Sequence, residues 1–119
     1  MIPTINESTF PQEVLDSPFP VIVSFWAPWC GLCRIINPLL HGLQSEQGEQ
    51  VKFVSVNADE NFRLANTYRL TNLPTLLLID RGQVLCRFDH FTSHDDVRAA
   101  FATLGKILGG LANTYSYTA

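Results

Sequence analysis

Phe25-Trp26-Ala27-Pro28-Trp29-Cys30-Gly31-Leu32-Cys33 is the stretch on which the fold turns. It joins an apolar, β-branched run, Pro20-Val-Ile-Val-Ser-Phe-Trp26, to an apolar pattern of helical period that begins at Cys30. Runs of the first kind are buried strands. In the second, Leu32, Ile35, Ile36, Leu39, Leu40 and Leu43 recur at the spacing of a helix face, to about Glu46. The two cysteines therefore stand at a helix N-terminus directly after a strand. Three residues apart, they share a helix face and are close enough to bridge. The unpaired N–H groups of a first helical turn favour an anion. Cys30 is thus expected to hold a stabilised thiolate, the attacking form of a thiol. Gly31 leaves room for a partner backbone beside Cys30. Pro38 is expected to kink the helix, because it removes one hydrogen bond and crowds the turn before it.

Outward from this unit, residues 7–16 read as a first helix with Pro11 in its early turns. Residues 51–56 read as a second buried strand and residues 60–69 as a short helix. Residues 76–79 form a strand, Asp80-Arg81-Gly82 a hairpin turn, and residues 84–88 an antiparallel return. Ser93 is a cap for a last helix, with Asp95 and Asp96 at its positive end. That helix runs to about Leu108, where Gly109-Gly110 is expected to stop it. This order implies an α/β protein, a three-layer α/β/α sandwich around a mixed central sheet. The division is a domain over residues 1–108 and a C-terminal tail over residues 109–119. The tail reads as a loosely held terminus, with Tyr115 and Tyr117 as the residues that would dock it.

Composition narrows the function classes. The 119 residues are enough for one compact domain with its own core, and 46% hydrophobic with 16% charged residues fits a globular chain. The net charge of -3 and the scatter of the cationic residues argue against nucleic-acid binding. No apolar stretch is long enough to span a membrane, and the first residues lack the pattern of a signal peptide. A cytoplasmic protein is expected. In that reducing compartment a Cys-x-x-Cys pair reads as redox or metal chemistry, not as a structural staple.

The quoted stretch together with Pro38, Asn57-Ala58-Asp59, Leu73-Pro74-Thr75 and Arg81-Gly82 resembles the thioredoxin family, in order and spacing, over residues 4–107. The resemblance implies the thioredoxin fold and a protein-disulfide reductase. Cys30 would be the nucleophile and Cys33 the resolving thiol. Pro74 matches the family's cis-proline, which lies against the two sulfurs, and Leu73 would offer its backbone to an extended substrate. Trp29 would shield the sulfurs and line the docking groove, with Trp26 packed beneath. The implied partners are protein disulfides and a flavin- or ferredoxin-linked thioredoxin reductase. No bound cofactor and no metal are implied, and the protein is expected to be a monomer.

Four positions depart from the family pattern. Leu32 stands where Pro is usual between the cysteines. Ser24 replaces a buried Asp that assists proton transfer at the resolving cysteine, and serine does not titrate in that range. Ser55 replaces a Lys on the neighbouring strand. The two changes belong together, since a buried Lys without its Asp is an unpaired charge. His90, followed by Phe91, replaces a glycine of the docking surface, so a bulky, titratable group is expected to alter which partners fit. The combination is similar to a divergent bacterial branch, the cyanobacterial thioredoxins of the C type.

Other readings stand beside this one. A thioredoxin-like adaptor that binds a partner without turnover would share the fold, but retention of both cysteines speaks against it. Half of a zinc site would need a second ligand pair, which Cys86 and the scattered histidines do not supply. Cys86 itself reads as a small buried hydrophobe. His41 and His94 read as surface residues, and Asp59, Asp80 and Asp89 as turn and cap residues.

Overall fold

Pro20 to Glu46 does form a strand–turn–helix unit in the computed structural model, which describes residues 2–118, with side chains over residues 2–111. Strand β1 (Val21–Trp26) leads into helix α1 (Gly31–Gln47), with Cys30 as N-cap. In β1, Val21, Val23 and Phe25 enter one core cluster and Ile22 enters the other. Both faces are covered, which is why the run is continuously apolar. Helix α1 buries Cys33, Ile36, Leu40 and Leu43. Ile35 and Leu39, read as part of that face, belong to the neighbouring row and are exposed. The helix continues through Pro38 and ends at Gly48, whose φ of 65° lets its N–H reach the Gln44 carbonyl.

Strand β2 (Lys52–Asn57) pairs parallel with β1. Strand β3 (Thr75–Asp80) pairs antiparallel on the other side of β1, and β4 (Gln83–Phe88) pairs antiparallel with β3. The order is β2-β1-β3-β4, a mixed sheet. Arg81 and Gly82 make the hairpin loop with φ of 53° and 80°, the mirror-image turn that matches strand twist. Residues 3–5, without an assignment from the sequence, flank β2. Ile5 N–H donates to the Ser55 carbonyl at 2.8 Å, and Ser55 N–H to the Pro3 carbonyl at 2.9 Å.

Two apolar layers sandwich this sheet. On one side Ile22, Phe53, Leu76 and Leu78 meet Ile36, Leu40 and Leu43 of α1 and Val97, Leu104 and Leu108 of the last helix, α3 (His94–Thr118). On the other, Val23, Phe25, Val54 and Leu77 meet Phe10, Val14 and Leu64. Leu64 lies on helix α2 (Phe62–Thr67), which follows a 3₁₀ turn at Ala58–Glu60 and is shorter than the helix read over 60–69. The first helix is also shorter than read. It is a single π turn, Pro11–Leu15, in which Asp16 N–H returns to the Pro11 carbonyl at 2.9 Å.

Gly109-Gly110 does not stop α3. The helix runs on to Thr118, and neither glycine takes the positive φ that a helix-ending glycine uses. A glycine inside a helix costs about 1 kcal/mol relative to alanine. Leu108 is fully buried and Leu111 packs on the same cluster. Leu111 lies beyond the glycine pair, and its packing on that cluster offsets part of the penalty. The side chains of Tyr115 and Tyr117 lie outside the described residues. At the other end, Ser93 caps as read, its Oγ accepting from Asp96 N–H at 3.2 Å.

Candidate active site

Cys30 and Cys33 are joined by a disulfide, with their Cα atoms 5.4 Å apart. Cys30 has extended φ and ψ while Cys33 is already helical, and Cys33 N–H donates to Cys30 Sγ at 3.3 Å. The sulfur thus occupies the place of an N-cap oxygen, at the positive end of a 17-residue helix. Such a position stabilises an anion on Cys30 once the bond is reduced. Both cysteines are 6% exposed, so a partner reaches them only by direct approach. Gly31 beside them is open: a Cβ there would meet nothing within 4 Å. Leu32 follows, half-buried.

Trp29 is 70% exposed, and its indole N–H donates to Asp59 Oδ2 at 3.0 Å. The sequence suggests only a turn or cap role for Asp59, and the structure adds this contact. Its turn is held from below: Asn57 Oδ1 accepts from Asp59 N–H, and Asn61 Nδ2 donates to the Asn57 carbonyl. Trp29, Phe62, Ala65, Leu70, Asn72 and Leu73 line a groove of about 400 Å³. Phe62 is 70% exposed. The sequence reading missed it; the available signal was an apolar residue out of phase with Leu64 on a short helix. Leu73 is followed by Pro74, and the Leu73–Pro74 peptide bond is cis, as the match at Pro74 implies. Pro74 is buried, and Thr75 Oγ1 donates to the Asn72 carbonyl at 2.7 Å.

Ser24 and Ser55 face one another in register, on the sheet face covered by α1. Ser24 is buried, and Ser55 Oγ lies 3.0 Å from Thr4 Oγ1. Beside them Trp26, Asn37, Leu40, His41 and Ser55 line a cavity of about 180 Å³. Trp26 is half-buried there, and His41, as read, is exposed. Pro38 is exposed on the outer side of α1.

His90 is almost wholly exposed, and its Nε2 lies 3.5 Å from Asp89 Oδ1. Asp89 also accepts from Arg87 Nε at 2.8 Å. That hydrogen bond, with the guanidinium's charge and that of His90, holds the Asp89 carboxyl below the usual carboxylate range. Asp89 is therefore the hub of a charged cluster and more than a cap residue. Arg87, not singled out by sequence, connects β4 to the end of α2. Cys86 is a free thiol, half-buried against the α1/α3 layer and not fully enclosed, and burial pushes its pKa up.

The thioredoxin family model matches residues 1–103. Thioredoxin 1 of Synechococcus elongatus is 46% identical over 79 residues, 66% of this chain and 74% of that protein. Thioredoxin 1 of Nostoc sp. matches at the same identity and coverage. A thioredoxin of Synechocystis sp. is 41% identical over 81 residues, 68% of this chain and 76% of its own length.

Proposed function

This chain belongs to the thioredoxin family and is a thiol–disulfide oxidoreductase, and from that premise we propose how its residues share the work. Cys30 is the nucleophile. Its thiolate attacks one sulfur of a target disulfide, forms a mixed disulfide, and releases the other target sulfur as a thiolate. Cys33 loses its proton and attacks Cys30 Sγ, so that the mixed disulfide breaks and the second target thiol leaves. Two electrons pass to the target, and the Cys30–Cys33 disulfide remains. The observation that carries this assignment is the placement of Cys30 Sγ as N-cap of α1, accepting from Cys33 N–H.

The target polypeptide docks along Trp29, Gly31, Leu32, Leu73 and Pro74. Support comes from the open space at Gly31 and from the groove that runs from Trp29 to Leu73. His90 adds selectivity for the target, while Trp26, Ser24 and Pro38 support the site. Residues 1–108 carry this activity, and α3 continues beyond them to Thr118. The oxidised protein is returned to the dithiol by a flavin- or ferredoxin-linked thioredoxin reductase, and the protein acts as a monomeric electron carrier in the cytoplasm. A reducing compartment suits a dithiol donor. Among the described residues no helix is long and apolar enough to cross a membrane.

Insulin reduction with dithiothreitol tests the assignment. Wild type is expected to turn over, Cys30→Ser to be inert, and pre-reduced Cys33→Ser, mixed with insulin after dithiothreitol is removed, to accumulate a mixed disulfide. Accumulation on Cys33 in a Cys30→Ser variant would reverse the two roles.

A further inference from the structure

We infer that Arg87 is a positioning residue for target docking: its guanidinium clasps the end of α2 to β4 and so holds in place the segment 70–73 that lines the groove together with Trp29. The inference rests on the reading of that groove as the docking place of a target polypeptide.

Arg87 lies in register with Leu77, which belongs to the α2-side core, while Cys86 and Phe88 on either side of it pack toward α1 and α3. Strand alternation therefore sends the Arg87 side chain toward α2. Three of its donors are used. Nη1 donates to the Tyr68 carbonyl, Nη2 to the Arg69 carbonyl at 2.8 Å, and Nε to Asp89 Oδ2 at 2.8 Å. The two carbonyls are at the end of α2, where helix geometry leaves acceptors without partners. A planar guanidinium with donors on two edges holds both elements in one orientation, which a lysine does not do.

The clasped end is anchored on its other side as well. The Tyr68 ring lies 5.7 Å from the Phe10 ring and 6.1 Å from the Phe25 ring, centroid to centroid. Arg69 then turns the chain with a φ of 51°, a left-handed conformation unfavourable for a residue with a Cβ. From there the chain runs directly into Leu70, Thr71, Asn72 and Leu73, which line the groove, and so to Pro74. A shift at the clasp is transmitted along this short segment to the groove wall, while Cys30 and Cys33 on α1 are held separately. Asp89 completes the clasp by fixing the fork from the β4 side.

The test separates docking from thiol chemistry. Arg87→Gln and Arg87→Lys are compared with wild type in insulin reduction, in reduction of hydroxyethyl disulfide, and in redox potential against glutathione. Both variants are expected to raise KM for insulin about three- to tenfold, with kcat, the small-disulfide rate and the potential unchanged. Lysine is expected not to rescue. Asp89→Asn, which frees the fork on one side, shifts KM the same way by a smaller factor, and serves if the Arg87 variants do not fold. An unchanged insulin KM in the folded variants overturns the inference, as does an equal loss on both substrates. Wild type inactive on both substrates defeats the redox reading itself. Wild type active, with variants of unaltered KM, defeats the clasp alone.

Discussion

Ser24 on β1 and Ser55 on β2 are register partners on the sheet face that α1 covers, so two neutral hydroxyls stand side by side at the level of the redox helix. Ser24 is 4% exposed. At such a site the chemistry of one side chain depends on its neighbour. A carboxylate there needs a cation beside it, and a cation needs a carboxylate. The pair is neutral as a unit, and changing either serine alone is expected to be costly.

Ser24→Asp is expected to destabilise the protein in a pH-dependent way. Burial raises a carboxyl pKa above its unfolded value of about 3.9. Both states are then protonated below that value, and the penalty is absent. It grows as pH rises toward the raised folded-state pKa, reaching about 3–5 kcal/mol. Adding Ser55→Lys is expected to recover part of it. Denaturant melts from about pH 4 to about pH 8 would check this, and a flat Ser24→Asp penalty would reject it.

Resolution of the mixed disulfide gives a second test of the same position. Wild type has no carboxylate at Ser24 to take the Cys33 proton. General base assistance is worth on the order of 10²-fold where it operates. Ser24→Asp is expected to speed release near neutral pH, read by stopped flow. Equal rates in both proteins would leave proton handling to another group.

Leu32→Pro is expected to make the protein more reducing. Leu32 occupies the second position of α1, within the first turn where proline is tolerated. Proline fixes φ and lowers the order that disulfide closure must impose on the loop. A shift of about 30 mV to more negative potential corresponds to ~1.4 kcal/mol. Titration against dithiothreitol measures it, and a shift of the opposite sign would overturn the argument.

Asp89→Asn is expected to lower stability near neutral pH and to have no effect in strong acid. The Arg87 hydrogen bond depresses the folded-state pKa of Asp89. The stabilisation it brings is therefore present above the unfolded carboxyl value and is lost as pH falls through the folded one. Because Arg87 is partly exposed, the effect is expected to be about 1 kcal/mol or less. Melts of both proteins between about pH 2 and about pH 7 would show the difference closing on the acid side.

Cys86 is expected to remain a thiol when Cys30 and Cys33 are oxidised. Alkylation by iodoacetamide would find one reactive group in the oxidised protein and three after reduction. Because burial raises the Cys86 pKa, its reaction at neutral pH is expected to be slower than that of Cys30. Loss of Cys86 under mild oxidation would contradict this.

The sequence by itself determined the features that depend on neighbours along the chain. Cys30 and Cys33 lie three apart on one helix, so their pairing is local geometry. Gly82 suits a positive φ, so the hairpin at Arg81-Gly82 is legible before any fold is known. The β-branched run of β1 and the α1 repeat announce a strand and a helix with buried faces. Ser93 caps the helix it precedes. Tertiary structure decided what depends on chains meeting in space. Trp29 meets Asp59 across 30 residues, and Arg87 meets the Tyr68 and Arg69 carbonyls across 19 and 18. No periodicity records such a meeting. The same holds for the end of α3. A glycine pair carries a small local penalty that reads as a stop, and only the core shows that Leu111, beyond the pair, has a surface to pack on. A contact made in space offsets a penalty written in the local sequence, and the helix goes on.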